Sequence, residues 1–398
     1  EIVNSDWSSD VCSSDLPNIT AAVPSASFYQ GTENLGYMSL GEAPTSPAVK
    51  CKNVFNKNIV KTNFFGIWSI YNSNSFDFPC QRTGQFSVYD DAHHLVYVGY
   101  GINYKQETLN DLWCLNTLTR QWRKIELHGD KISGRSGARA SLIGTHLLIF
   151  GGYSEPNYFA DPHTIDVLTG EVKMISTSGK TPEARSTPLV AIYGNKFYVW
   201  GGFNGKWPTE LNVLDFSNMC WKQFNQGVTG RTAVPSVIYG NKLYSYGGSK
   251  SGGMLQINFD TNVIEMKQTI GSEPPSGVMG AGMVIIEHYA IYFGGKTKSE
   301  YNLIYCCDLN KMWWFIFYIL PDGKTVFPND GKVNDIGVFL VPRIHSFGLC
   351  YVKERREVLA FFGNQSKNSS PLFIVYVGDA FSCIHHQEDM LDMLKYRF

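Results

Sequence analysis

The chain has 398 residues, of which 38 are glycine, 14% are aromatic and only 17% are charged. Its 34 basic and 35 acidic side chains leave a net charge of −1, which gives no electrostatic reason to expect nucleic acid or an anionic membrane as partner. Such glycine and aromatic content suits many short strands joined by tight turns, and no apolar run reaches the roughly 18 residues of a membrane span.

Nine cysteines form no CxxC pair, and Cys114, Cys220, Cys306, Cys307 and Cys350 sit inside apolar runs. That pattern is expected of reduced core thiols, with neither a disulfide framework nor a metal centre. No basic start leads into an apolar stretch, so the expected compartment is the cytoplasm.

In chain order, Ser5–Leu16 spells the translation of a common sequencing-library adapter. Residues 1–16 are therefore read as a disordered artefact and set aside. Residues 17–61 carry several prolines and no repeat, as a loop or N-terminal arm would. Residues 62–378 hold a repeat. Residues 379–398 read as a short helical tail that ends early, with acids near Glu388-Asp389 and the bases Lys395 and Arg397 late.

The repeat is marked first by glycine doublets after apolar runs: Phe150-Gly151-Gly152, Trp200-Gly201-Gly202, Tyr246-Gly247-Gly248 and Phe293-Gly294-Gly295. Degenerate copies stand at Val98-Gly99-Tyr100-Gly101 and Phe362-Gly363. From Gly99 the first glycines recur after 52, 50, 46, 47 and then 69 residues, the last interval stretched by an insertion near Leu320–Val341. An arginine precedes most doublets: Arg82, Arg135, Arg185, Arg231 and Arg343, with Val278 in the fifth copy. A bulky residue follows about 20 positions on, as Trp122, Trp221 and Trp314 do. A unit this short cannot bury both faces of its own sheet, so copies must stack on one another.

Arg185-Ser186, Tyr198-Val199-Trp200-Gly201-Gly202, Leu211-Asn212-Val213-Leu214-Asp215 and Cys220-Trp221-Lys222 together resemble a kelch repeat from end to end. The resemblance covers about Asn63 to Val377 and implies an all-β, six-bladed kelch β-propeller. Five copies carry four strands each: 82–125, 135–176, 185–225, 231–269 and 278–318. The sixth, 343–377, lacks its outer strand, and Phe64–Tyr71 is an orphan strand with Trp68 in the right place. The expectation is that this N-terminal strand completes the last blade and removes the sheet's free ends.

Motifs for metal or phosphate chemistry are missing from the sequence: there is no HExxH or CxxC, and no phosphate loop. Iron-binding kelch proteins that process nitriles use a Glu-x3-Asp-x3-His triplet. Glu107 and Asp111 fit it, but Leu115 stands at the histidine position. We therefore expect binding rather than catalysis, with no cofactor and no metal. The resemblance implies a scaffold or substrate-recognition adaptor, a component of a ubiquitin ligase among its uses. Adaptors of this kind can clamp acidic or phosphorylated peptides with arginines at the repeat's arginine position.

Arg82, Arg135, Arg185, Arg231 and Arg343 are accordingly the first candidate partner-binding residues, although the same side chains could instead tie backbone carbonyls. Tyr153, Tyr158, Phe203 and Trp207, in the loops after two doublets, are the others, because aromatics and arginine dominate binding hot spots. Two alternatives have different signatures. A propeller enzyme or sugar-binding module of the sialic-acid-mutarotase sort would need acid and base residues facing each other in a channel. Actin binding has no discriminating sequence feature.

Overall fold

The computed structural model describes residues 66–71, 78–248, 253–327, 329, 332–333, 339–363, 372–378 and 380–383. The proposed adapter segment, the arm 17–61, Phe64, Phe65 and most of the tail lie outside these.

The third blade shows how sequence becomes structure. Leu189–Tyr193, Lys196–Trp200, Leu211–Asp215 and Cys220–Phe224 run antiparallel from the axis outward. Lys196–Trp200 is buried along nearly all its length because both faces of the sheet are covered by neighbouring blades. It ends at Gly201, where φ is +65° and an added Cβ would stand 2.5 Å from the Arg231 carbonyl oxygen. Only glycine lets the chain turn there, against the next blade.

Six such sheets close a ring. Their innermost strands are Phe86–Asp90, Arg139–Ile143, Leu189–Tyr193, Ser236–Tyr239, Ala281–Ile286 and Gly348–Val352. Closure is as the sequence implies: Gly66–Tyr71 pairs antiparallel with Leu372–Tyr376, with Trp68 opposite Val375. Each inter-blade gap holds its own hydrophobic cluster. The gap between the sixth and first blades, for instance, joins Val96, Val98 and Leu115 to Cys350, Leu359 and Ile374. The tryptophans pad these gaps. Trp221 meets Phe150 of the preceding blade at 6.1 Å, Trp314 meets Tyr246 at 4.9 Å, and Trp68 meets Phe293 at 6.4 Å.

Two details were not legible beforehand. Links between blades add short parallel strands to the rim: His128–Gly129, Ser178–Gly179, Ile270–Gly271 and Ile319–Pro321. At the fourth blade a side chain does this work. Gln226 donates from Nε2 to the Asn262 carbonyl at 2.9 Å and accepts from the Ile264 N–H at 2.9 Å. The insertion after Leu320 contributes Lys332–Val333 and Phe339–Pro342, which pair with each other, and Phe339–Pro342 also pairs with Tyr301–Asn302.

Among the described residues, no helix is long and apolar enough to cross a membrane. Cys80, Cys114, Cys220, Cys306, Cys307 and Cys350 are free thiols, and burial pushes those of Cys306, Cys307 and Cys350 well up.

Candidate partner-binding face

The arginines mark one end of the channel. Two residues after each arginine position the chain takes a left-handed φ: Gly84, Gly137, Thr187, Ala233, Gly280 and Ser346. These six residues hold hands around the axis. Gly137 N–H donates to the Gly84 carbonyl at 2.7 Å, and Thr187 to Gly137 at 2.6 Å. Ala233 donates to Thr187 at 3.3 Å, Gly280 to Ala233 at 2.6 Å, and Ser346 to Gly280 at 2.7 Å. The Ser346 carbonyl accepts from Gln85 Nε2 at 3.3 Å, which bridges the last gap with a side chain.

This ring also fixes the register of the arginines. The N–H of the doublet's second glycine bonds the carbonyl at the next blade's arginine position. Gly152 bonds Arg185, Gly202 bonds Arg231, Gly248 bonds Val278 and Gly295 bonds Ile344. The sixth-blade counterpart is therefore Ile344, buried at 2% exposure, and not Arg343. Counting back from the degenerate doublet loses one residue across the 3-10 turn Lys353–Arg355. Arg343 is exposed and donates to the Thr297 carbonyl at 2.9 Å.

Three of the remaining four arginines are each held by a carboxylate and two backbone carbonyls. Arg82 donates from both terminal nitrogens to Asp111 at 2.5 and 2.8 Å, from Nε to the Cys80 carbonyl, and from Nη1 to the Tyr100 carbonyl. Arg135 does the same with Asp161 at 2.8 and 3.0 Å, the Ser133 carbonyl and the Gly151 carbonyl. Phe159 stacks on its guanidinium at 3.7 Å. Arg185 takes Glu210 at 2.6 Å with the Glu183 and Gly201 carbonyls. Burial alone would raise the carboxyls of Asp111 and Glu210. The hydrogen bonds and charge of Arg82 and Arg185 outweigh it and hold both below the usual carboxylate range.

Arg231 has no carboxylate. It donates to the Gly247 carbonyl at 2.9 Å and to the Met266 thioether at 3.2 Å, and burial lowers its pKa. Of the two uses open to these arginines, partner contact or backbone tie, the geometry of Arg82, Arg135 and Arg185 is that of a tie. Arg82, Arg135 and Arg185 spend their donors inside the protein and tie the loop after each doublet to its strand.

Those loops carry the four aromatics, and the structure brings all four together. Tyr153 and Phe203 occupy the same place in successive blades. Each exchanges two backbone hydrogen bonds with the serine after the arginine, Ser136 and Ser186 respectively. Tyr153 packs on Tyr158 at 4.7 Å, Tyr158 on Phe203 at 6.4 Å, and Phe203 on Trp207 at 5.3 Å. The ladder crosses from the second blade to the third and ends on Trp207, which is 53% exposed. Tyr104, 69% exposed in the corresponding loop of the first blade, extends the aromatic character of this face and was not singled out from sequence. Beside the ladder, Lys206 pairs with Glu183 at 2.9 Å.

One inter-blade contact also escaped the sequence reading. His163, wholly buried in the second blade, accepts or donates at Nε2 with the Tyr100 hydroxyl of the first blade at 2.8 Å. Its Nδ1 lies 3.1 Å from the Asp161 carbonyl, so Nδ1–H is the donor there and Nε2 accepts from Tyr100.

Comparison with known proteins agrees with this architecture. The family model described as the KLHDC2/KLHL20/DRC7 Kelch-repeats domain matches residues 51–248. Kelch domain-containing protein 2 of Bos taurus is 25% identical over 335 residues, covering 70% of this chain and 78% of that protein. Acyl-CoA-binding domain-containing protein 4 of Arabidopsis thaliana is 36% identical over 160 residues, covering 40% of this chain. The chain spans 24% of that plant relative's length, and 22% of the related Acyl-CoA-binding domain-containing protein 5. With its repeat, its closed ring and these relatives, the chain belongs to the kelch-repeat β-propeller family.

Proposed function

We propose that the chain is a protein-recognition module, a scaffold or substrate-recognition adaptor, that docks its partner on the loop face of the second and third blades. The observation that carries this reading is the ladder Tyr153–Tyr158–Phe203–Trp207, ending on a half-exposed tryptophan. Aromatics of this kind supply large contact area at low entropic cost, and truncating one at the centre of an interface costs about 2 kcal/mol or more. The arginines support the face from beneath, because they hold the loops that carry the aromatics. Arg82, Arg135 and Arg185 are each already paired with a carboxylate of the protein, which favours the aromatics over an arginine clamp as the contact surface.

The test is affinity purification from the cell of origin with wild-type protein, Trp207→Ala and Leu168→Ala, followed by affinity measurement on the purified partner. Leu168 is 74% exposed in the turn His163–Asp166 to Glu171–Met174, at the opposite end of the strands. A partner held by the ladder binds wild type and Leu168→Ala alike. It binds Trp207→Ala about 30-fold more weakly, the equivalent of 2 kcal/mol. A partner indifferent to Trp207 and Tyr158 substitutions refutes the assignment of this face.

A further inference from the structure

The fifth blade departs from the first three at two linked positions. Val278 stands where they have an arginine, and its carbonyl accepts from Gly248 N–H as the Arg185 carbonyl accepts from Gly152. The carboxylate position changes with it. Asp111 and Glu210 directly precede Leu112 and Leu211, which lie across from Gly99 and Trp200 in their sheets. Ile304 lies across from Phe293 at the same register, so the residue before it, Leu303, is the fifth blade's counterpart of those acids. Both members of the ion pair are therefore aliphatic here, and neither reaches as far as a guanidinium. A cavity of about 240 Å³ is lined by Val278, Leu303 and Gly294. The counterparts of Gly294 are Tyr100, Gly151 and Gly201, whose carbonyls accept from the arginines of the first three blades. The cavity thus takes up the place of the missing pair.

Its lining fixes the chemistry it can accept. No charged residue contributes to the wall, and Leu340 of the insertion adds a third aliphatic side chain. Tyr292 and Tyr305, cross-strand partners, supply aromatic surface. The Tyr292 ring is held by Tyr246 at 5.6 Å and Trp314 at 6.0 Å, so this wall is built before any ligand arrives. Two phenols are left over. The Tyr292 hydroxyl is buried without a hydrogen bond among the described residues, and the half-buried Tyr305 hydroxyl makes none either. Burial pushes the Tyr305 phenol up to about 12, so it stays protonated and able to donate at neutral pH. A few polar groups in a mostly apolar concave wall are the usual make-up of a small-molecule site. An apolar cavity of about 150 Å³ is enough for benzene, so this one has room for a single ring with a small substituent.

We propose that this pocket of the fifth blade binds a small, neutral, single-ring aromatic compound that carries one hydrogen-bond acceptor. The ring packs on Val278, Leu303 and Leu340, and the Tyr305 hydroxyl donates to the acceptor. An anionic analogue is disfavoured, because the wall offers its charge no counter-ion. The site lies in a different blade from the aromatic ladder, and loss of either reading leaves the other standing.

The experiment is titration of the full chain with benzamide, toluene and benzoate, followed by ligand-observed NMR, with circular dichroism to confirm that each variant is folded. Wild type should bind benzamide saturably and benzoate about tenfold more weakly or worse. Val278→Arg combined with Leu303→Asp rebuilds the ion pair of the first three blades inside the cavity, and should lose about tenfold or more in benzamide affinity. Leu340→Trp fills the same space from the insertion and should do likewise, which keeps the test open if the double variant does not fold. Tyr305→Phe keeps the ring and removes the donor. It should weaken benzamide about fivefold and leave toluene within about twofold of wild type. Absence of saturable benzamide binding to wild type, benzoate binding as tightly as benzamide, undiminished binding in a folded filled variant, or equal benzamide affinity in Tyr305→Phe overturns the proposal.

Discussion

If the arginines are ties rather than ligand contacts, their removal must cost stability in proportion to what each one holds. Arg185 is fully buried and spans the Glu183 carbonyl at 2.8 Å, the Gly201 carbonyl at 3.1 Å and Glu210 at 2.6 Å. Arg185→Leu fills much of the volume but leaves the Gly201 carbonyl and a partly buried carboxylate without their donor. Breaking such a pair from one side costs about 3–5 kcal/mol. For a domain of this size that is a fall in thermal midpoint of about 6–10 °C. Arg231 holds one carbonyl and a thioether, so Arg231→Leu should cost about 1–2 kcal/mol, or about 2–4 °C. Arg343 is exposed on a single carbonyl, and Arg343→Ala should stay within about 0.5 kcal/mol of wild type. Thermal unfolding followed by circular dichroism reads all three. The pH dependence adds a check of sign. Glu210 has a lowered folded-state pKa, so its contribution is present above the unfolded value of about 4.3 and is lost as pH falls through the lower folded one. In Arg185→Leu that acid-side loss should shrink. Equal midpoints in the three variants, or a larger loss for Arg343 than for Arg185, would refute the reasoning.

Other consequences are independent of the arginines. Burial lowers the His163 pKa to about 4, so the unfolded chain takes up its proton first. Stability should drop by about 2–3 kcal/mol as pH falls from about 6.5 to 4, and denaturant titrations of His163→Gln should lack that slope. Trp68 is 1% exposed between Phe293 and Phe373 in the strand that closes the ring. Trp68→Ala should cost about 3–5 kcal/mol in urea unfolding, and a cost under about 1 kcal/mol would mean that this strand does not hold the sixth blade.

The fold was legible because its marks are spaced by geometry that repeats. Doublet glycines recur wherever a buried strand must turn against the next blade, and the intervals between them survive wide sequence change. The orphan strand was legible for the same reason: Trp68 stands where a blade's rim tryptophan belongs. Roles were harder to read than places. The carboxylates that occupy Arg82, Arg135 and Arg185 lie 29, 26 and 25 residues further on, at the ends of loops of unequal length. An offset that drifts from blade to blade carries no periodic signal. The pairing of Tyr100 with His163 crosses 63 residues and joins two different blades, so neither residue looks special in its own copy. The rim strands of two residues, and Gln226 in place of one, are too short to pattern at all.

Equivalence of position therefore did not mean equivalence of use. Four guanidiniums gathered at one channel mouth would repel one another unless each were compensated. The structure compensates three of them locally with Asp111, Asp161 and Glu210, which removes most of the field that a ring of arginines would otherwise project. With three of the four charges neutralised, the ladder ending on half-exposed Trp207 is the larger feature of the loop face, and that is the ground for proposing it as the contact surface.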